Sequence, residues 1–376
     1  MQKLKDAGIT PTFTATEEEF GNFTGGTSQG GNLEGLLKFG LTLDLEKIVG
    51  WSGASVYSAI LYPHGLGITN RYVHDYNVLS NIDAYDSWRF FETWVQQDLA
   101  NHHFYIRVGQ LTTDGNFFMS DSANLYINSV FGDTGTALHN IIVPIYPVAS
   151  PGVQVRWTHE NGSYVQALVV SDNPGAQDGD NKHGLRYNFS QVGALAILEA
   201  GYLRRGTETA PILEGTYKVG GWYDSGWFPD NAGGAPHHGT TAWYAIVDQQ
   251  LYRQNTNPKD SFRGLATFFR VSTAAEDRNP VTRYFDTGLN YTGLFPGREK
   301  DTLGIAFSYQ RLSSELETPS GDPVPSHHEH VLEATYLWTF NDHLSVQPDL
   351  QYIWNPSGTG TIPNAFVGGV RLTISF

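Results

Sequence analysis

The chain ends on Asn364 to Phe376, N-A-F-V-G-G-V-R-L-T-I-S-F. Even positions carry Phe366, Val370, Leu372, Ile374 and Phe376, while odd positions carry Arg371, Thr373 and Ser375. Successive side chains of a strand point to opposite sides, so the alternation predicts a strand with one apolar and one polar face. Soluble antiparallel sheets also use one-sided strands, so the decisive question is whether other segments repeat the pattern.

They do. Alternation and length mark about sixteen strand-like segments, at 11–21, 33–46, 52–62, 84–98, 103–112, 152–160, 163–171 and 193–204, then at 215–225, 240–252, 262–273, 282–294, 301–312, 328–340, 343–355 and 364–376. In 301–312, Leu303, Ile305, Phe307 and Tyr309 alternate with Thr302, Gly304, Ser308 and Gln310. In 328–340, Leu332, Ala334, Tyr336, Trp338 and Phe340 alternate with Glu333, Thr335 and Thr339. Two segments fit poorly: 343–355 contains Pro348, which cannot donate to a ladder, and 11–21 contains Glu17, Glu18 and Glu19 in a row. A helical period competes only around 120–131, where Ser120 could cap a helix running to Val130. No domain boundary or tandem repeat interrupts the 376 residues, which read as one domain with a short N-terminal segment, 1–10.

Composition narrows the partners. Cysteine is absent, so disulfides and thiolate metal sites are excluded. A net charge of −15 argues against nucleic acid, because phosphate binding needs clustered Lys and Arg. No apolar run is long enough for a transmembrane helix, yet a membrane β-barrel would show the same modest hydropathy, since half of each strand faces water. Met1-Gln2-Lys3-Leu4 reads as a start residue placed before a mature N-terminus, with a signal peptide removed.

The connections carry a second signal. Asn161-Gly162 and Asn341-Asp342 are two-residue turns, and Leu99 to His102 is scarcely longer. They alternate with long connections at 63–83, 113–151, 172–192, 226–239 and 313–327, while 205–214 and 253–261 are of medium length on the short side. Short turns on one side and long loops on the other, aromatics near strand ends, and a terminal strand ending in Phe are the pattern of Gram-negative outer-membrane barrels. The fold class expected is therefore all-β: a transmembrane antiparallel barrel of about sixteen strands, with loop 113–151 folded into the lumen as a constriction. Its apolar run Ile141-Ile142-Val143-Pro144-Ile145-Tyr146-Pro147-Val148 is too greasy for an exposed loop.

At 85–118 the chain reads Y-D-S-W-R-F-F-E-T-W-V-Q-Q-D-L-A-N-H-H-F-Y-I-R-V-G-Q-L-T-T-D-G-N-F-F. This stretch resembles the carbohydrate-selective, OprB-like outer-membrane porins through Arg89, Glu92, Trp94, Arg107, Gly109, Gln110, Leu111, Asp114 and Phe117. The likeness continues through Pro151-Gly152-Val153, Gly220-Gly221-Trp222-Tyr223 and the final strand. It implies a sixteen-stranded pore in the bacterial outer membrane that passes sugars and similar small polar solutes by diffusion, narrowed by loops in the lumen. The chain departs from the family in outer loops holding His237-His238 and His327-His328-Glu329-His330.

Taking the apolar parity as outward places Glu34, Lys38, Arg107, Arg156, Glu199, Lys218, Asp224, Glu333, Gln347, Asp349 and Arg371 inside. Glu92, Trp94 and Gln96 join them if Phe91, Thr93 and Val95 face out. The pore-lining residues expected to meet solute are Glu92, Trp94, Arg107, Asp114, Glu34, Lys38, Arg156, Trp222 and Asp349. Charge of both signs beside an indole suits a sugar, whose hydroxyls accept from Arg and donate to Glu and whose C–H faces lie on rings. The remaining expectations are sugars as solute, outer-membrane lipid and lipopolysaccharide around the wall, no cofactor, no metal, no nucleic acid and no catalysis, with monomer and homotrimer both open. Two rival readings are a secreted all-β sugar-binding or sugar-cleaving protein, and a closed barrel serving as an assembly partner.

Overall fold

The structure, a computed structural model, describes residues 2–175, 181–186, 193–206, 212–254, 263–316 and 326–376. A short exposed helix, α1 (Gln2–Asp6), leads into β1 (Ile9–Thr24) and β2 (Gly30–Asp44). After helix α2 (Leu45–Val49) come β3 (Ala54–Gly65), β4 (Arg89–Leu99) and β5 (Phe104–Leu111). The long segment that follows holds helix α3 (Gly135–Asn140). Then come β6 (Ser150–Thr158), β7 (Ser163–Ser171), β8 (Ala194–Arg204), β9 (Gly215–Phe228) and β10 (His237–Arg253). The last six are β11 (Gly264–Ala274), β12 (Val281–Thr292), β13 (Thr302–Leu312), β14 (His328–Asn341), β15 (Leu344–Trp354) and β16 (Ala365–Ser375). Each strand pairs antiparallel with the next, and β1 pairs with β16, so the sheet closes.

Closure removes the two edges that an open sheet would leave unpaired, a requirement in lipid, where no water satisfies backbone groups. Every one of the sixteen expected segments coincides with a strand. Odd connections of the structure lie on one rim and even connections on the other; both termini share the rim of the short turns. The medium connections 205–214 and 253–261, and the loops 172–192 and 313–327, fall partly outside the described residues.

Both misfit segments are strands. In β1 the alternation splits the three glutamates: Glu18 is buried on the inner face, while Glu17 and Glu19 are exposed on the outer one. In β15 the ladder to β14 skips the positions around Pro348, between the pairs Thr335↔Asp349 and Trp338↔Val346. Aromatic clusters mark both rims of the outer wall, such as Trp338 with Phe340 at 4.9 Å and Phe23 with Phe366 at 5.9 Å between ring centroids.

Three local expectations need correction. Phe91 faces inward, because β4 carries an extra residue between the pairs Ser58↔Thr93 and Ile60↔Phe90, which turns Phe91 and Glu92 to the same side. The 120–131 window forms no continuous helix but two 3-10 turns, Ala123–Leu125 and Ser129–Phe131. Its backbone donors are drawn off by the wall: Glu333 accepts from the amides of Ile127 at 2.6 Å and Asn128 at 3.0 Å. Ser120 still caps locally, accepting from Ala123 N at 3.0 Å. Finally, His237, His238, His328 and His330 belong to β10 and β14 rather than to loops, and alternation turns Glu329 inward while His328 and His330 point outward.

Candidate pore constriction

The segment between β5 and β6 is tied to the inner wall by side chains that alternation alone would assign to the pore. Arg270 of β11 and Asp286 of β12 pair with both side chains fully enclosed. The same guanidinium donates to the carbonyls of Phe118, Gly132 and Val130, so one cation holds two stretches of the segment. Asp248 accepts from Ser120 Oγ at 2.5 Å and Ser122 N at 3.0 Å. Lys218 Nζ donates to Met119 O at 2.7 Å, and Gln347 Nε2 to Leu125 O at 2.7 Å. The bonds of Arg270, Asp248 and Lys218 are charge-assisted and stronger than neutral ones, and most of the set satisfies backbone groups that would be costly to bury unpaired.

Apolar packing completes the attachment. Phe117, Phe118, Ile141 and Val143 pack with Leu168, Ile197 and Trp222 of the wall. Tyr126 and Phe131 pack with Phe268 and Tyr284. The segment between β3 and β4 is fixed in the same way, by the same strand whose Glu333 holds Ile127 and Asn128. The carboxylate of Glu329 accepts from Tyr76 N at 2.7 Å and from Asn77 N at 3.1 Å and Nδ2 at 2.7 Å.

Among the described residues, two cavities between these segments and the wall stand out. The larger, about 680 Å³, opens toward the rim of the long loops. Asp83, Asp133, Ile142, Ile145, Tyr126 and Tyr146 are among the residues that border it. The smaller, about 440 Å³, lies toward the rim of the termini, bordered by Arg156, Tyr164, Lys218, Asn116 and Asp121. Asp114, Met119 and Asn124 border both.

The electrostatics of the two differ. In the larger cavity burial pushes the Asp83 carboxyl up to about 6. Burial, then the charge of Asp114, raises Asp133 well above the usual carboxylate range. His139, also on this cavity, is held down to about 3 by burial and is therefore neutral; its ring contacts Asn77 Oδ1 at 2.8 Å. The smaller cavity carries two cations, Arg156 and Lys218, the first lying 3.9 Å over the Tyr164 ring.

Of the residues expected to meet solute, Asp114 and Arg156 border cavities. Arg107 and Trp94 are together, as the β4–β5 hairpin parity predicts: the guanidinium lies 4.0 Å over the indole and donates to Gln96 Oε1 at 2.8 Å. Gly109, directly opposite Trp94, adopts φ +151°, and a Cβ there would meet Thr93 O at 2.2 Å. Glu92 accepts from Thr112 Oγ1 at 3.1 Å, and Lys38 lies 5.6 Å over Phe91. These four residues sit on the inner wall but border neither cavity. Trp222, Glu34 and Asp349 also point inward; all three are buried and none borders a cavity. Sequence reasoning missed Arg270, Asp248 and Met119. The first two were legible as inward charges of strand parity, whereas Met119 has no signature outside its loop's conformation.

Where the two cavities share a border they meet a carboxylate, an amide and a thioether, with rings, hydroxyls and both charge signs to either side. The family model described as "Carbohydrate-selective porin, OprB family" matches residues 28–376. Porin B of Pseudomonas aeruginosa is 26% identical over 381 residues, covering 90% of this chain and 80% of that protein. The high-pH structure of Pseudomonas putida OprB superposes with a TM-score of 0.88 at 23% identity, over 100% of this chain and 96% of the other. The low-pH structure of the same protein gives 0.64 at 19% identity, covering 100% and 95%. The chain belongs to the OprB family of carbohydrate-selective porins and is an outer-membrane channel for the passive diffusion of sugars.

Proposed function

We propose that Asp114, Met119 and Asn124 form the eyelet through which sugars pass, one at a time, from the larger outer cavity to the smaller inner one, with no chemistry performed on them. The observation that carries this reading is that, among the described residues, these three alone border both cavities. Both volumes fall in the range of about 300–1,000 Å³ usual for small-molecule sites. A solute entering from outside meets apolar and aromatic surface with Asp83 and Asp133, which suits the C–H faces and hydroxyls of a pyranose. Past the eyelet, Arg156 and Lys218 donate to the hydroxyls while Asp114, Asp121 and Asn116 accept from them. Arg107 and Trp94 extend the same chemistry along the wall as a stacking ledge. Contacts of this kind are individually weak, and conduction requires that, since a tightly held solute would not leave.

Single-channel conductance in a planar bilayer, with a panel of neutral mono- and disaccharides, tests the proposal. Steps partly blocked by a sugar, with the block altered in Asn124→Ala and Asp114→Asn, support it. Conductance indifferent to every sugar and to both substitutions would move the selective site elsewhere.

A further inference from the structure

We infer that the outer wall over β12–β14 is a docking site for the phosphorylated glycolipid of the outer leaflet, a diglucosamine carrying phosphate groups and several acyl chains. The register lays out a ladder of chemistries on the outward face. Arg283, Arg311 and His328 lie side by side on three adjacent strands, at the long-loop rim. One step toward the midplane, the facing row is Phe285, Tyr309, His330 and Trp354. Tyr309 contacts Phe285 at 5.4 Å and His330 at 4.9 Å between ring centroids. Two steps further the row is aliphatic: Leu289, Ile305, Ala334 and Leu350. Cation, then aromatic, then aliphatic is the order of headgroup phosphate, interface and acyl chain met on moving inward from the surface.

The top row asks for an anion. Like charges directly opposite on paired strands repel, and Arg283 faces Arg311 in register. The acidic group near them is Glu276, whose Oε1 stands 3.9 Å from Arg311 and already accepts from Ser314 N at 2.8 Å and Oγ at 2.5 Å. A phosphate seated between the two guanidinium groups would receive paired N–H donors from each, the geometry in which arginine is strongest. A free anion would satisfy that row alone; the aromatic and aliphatic rows below it select a ligand with a lipid body.

Native mass spectrometry of the detergent-solubilised barrel with added bisphosphorylated lipid A tests the inference. The wild type should retain the lipid, while R283Q/R311Q, checked for folding by its heat-modifiable gel migration, should retain it at least about tenfold more weakly, as expected for losing charge-assisted hydrogen bonds. On the wild type alone, dephosphorylated lipid A should bind at least about tenfold more weakly, and millimolar inorganic phosphate should fail to displace the intact lipid. Equal retention by wild type and variant, equal binding of the dephosphorylated lipid, or displacement by inorganic phosphate would each overturn it.

Discussion

The two cavities are separated by three shared residues, yet they are built from different material. The outer one is walled mainly by the loops themselves, with Ile142, Ile145 and Tyr146 beside acidic side chains. The inner one uses the strands, with Arg156, Tyr164, Thr216 and Lys218 supplied by β6, β7 and β9. Loop-built surface can be apolar because a loop carries no strand alternation and does not face lipid. Strand-built surface inherits the polar parity that the membrane imposes on every second residue. The contrast teaches that one pore can change character along its axis without any change of fold.

The largest expected effect comes from abolishing the partition. Arg270→Ala removes the cation shared by Asp286 and three loop carbonyls; opening a buried pair in this way costs about 3–5 kcal/mol. Single-channel conductance should rise and sugar block should vanish as the two cavities merge. Unchanged steps in a folded variant would show that packing alone holds the segment. Closing the partition is the converse experiment: Met119→Trp should cut conductance to roughly half or less, because a side chain at the narrowest point governs flow. Equal conductance would place the narrowest point elsewhere.

Smaller effects sharpen the comparison. Removing both inner cations, R156A/K218A, should weaken sugar block roughly tenfold, the magnitude expected for lost hydrogen bonds from charged donors. Lys218 also holds Met119 O, so unaltered block at altered conductance would assign the pair a structural role instead. The smallest effect concerns the outer cavity. Asp83 loses its proton as pH rises through about 6, so the cavity becomes more negative and cation preference, read from reversal potentials, should increase across that range. Asp83→Asn should flatten the dependence; an identical pH profile in the variant would sink the assignment.

How much of this was legible in the sequence follows from what strand periodicity can encode. Two-residue alternation reports inside against outside, and it placed Glu333, Lys218 and Arg371 on the inner face. It does not report what covers an inward residue. Glu333 and Trp222 carry the same parity as Arg156, but the first binds loop amides, the second lies beneath Phe117 and Phe118, and the third borders open space. The bulge at Phe91 shows the other limit, since one inserted residue reverses parity without a local composition signal. The helix expected over 120–131 failed for a related reason: its amides had partners on β14, more than two hundred residues away.

The seam between β1 and β16 has a consequence for assembly. Phe376 N donates to Phe13 O at 2.8 Å, and Phe13 N donates back to Phe376 O at 3.0 Å. The first strand thus stays half-paired until β16 arrives, and Phe376 is itself part of the seam. The ring closes only when β16 pairs with β1, so closure waits for the sixteenth strand. Until then β1 presents an open row of amides and carbonyls to whatever escort carries the chain. Without β16 that starting edge would stay unpaired, so the first and sixteenth strands are secured by one and the same seam.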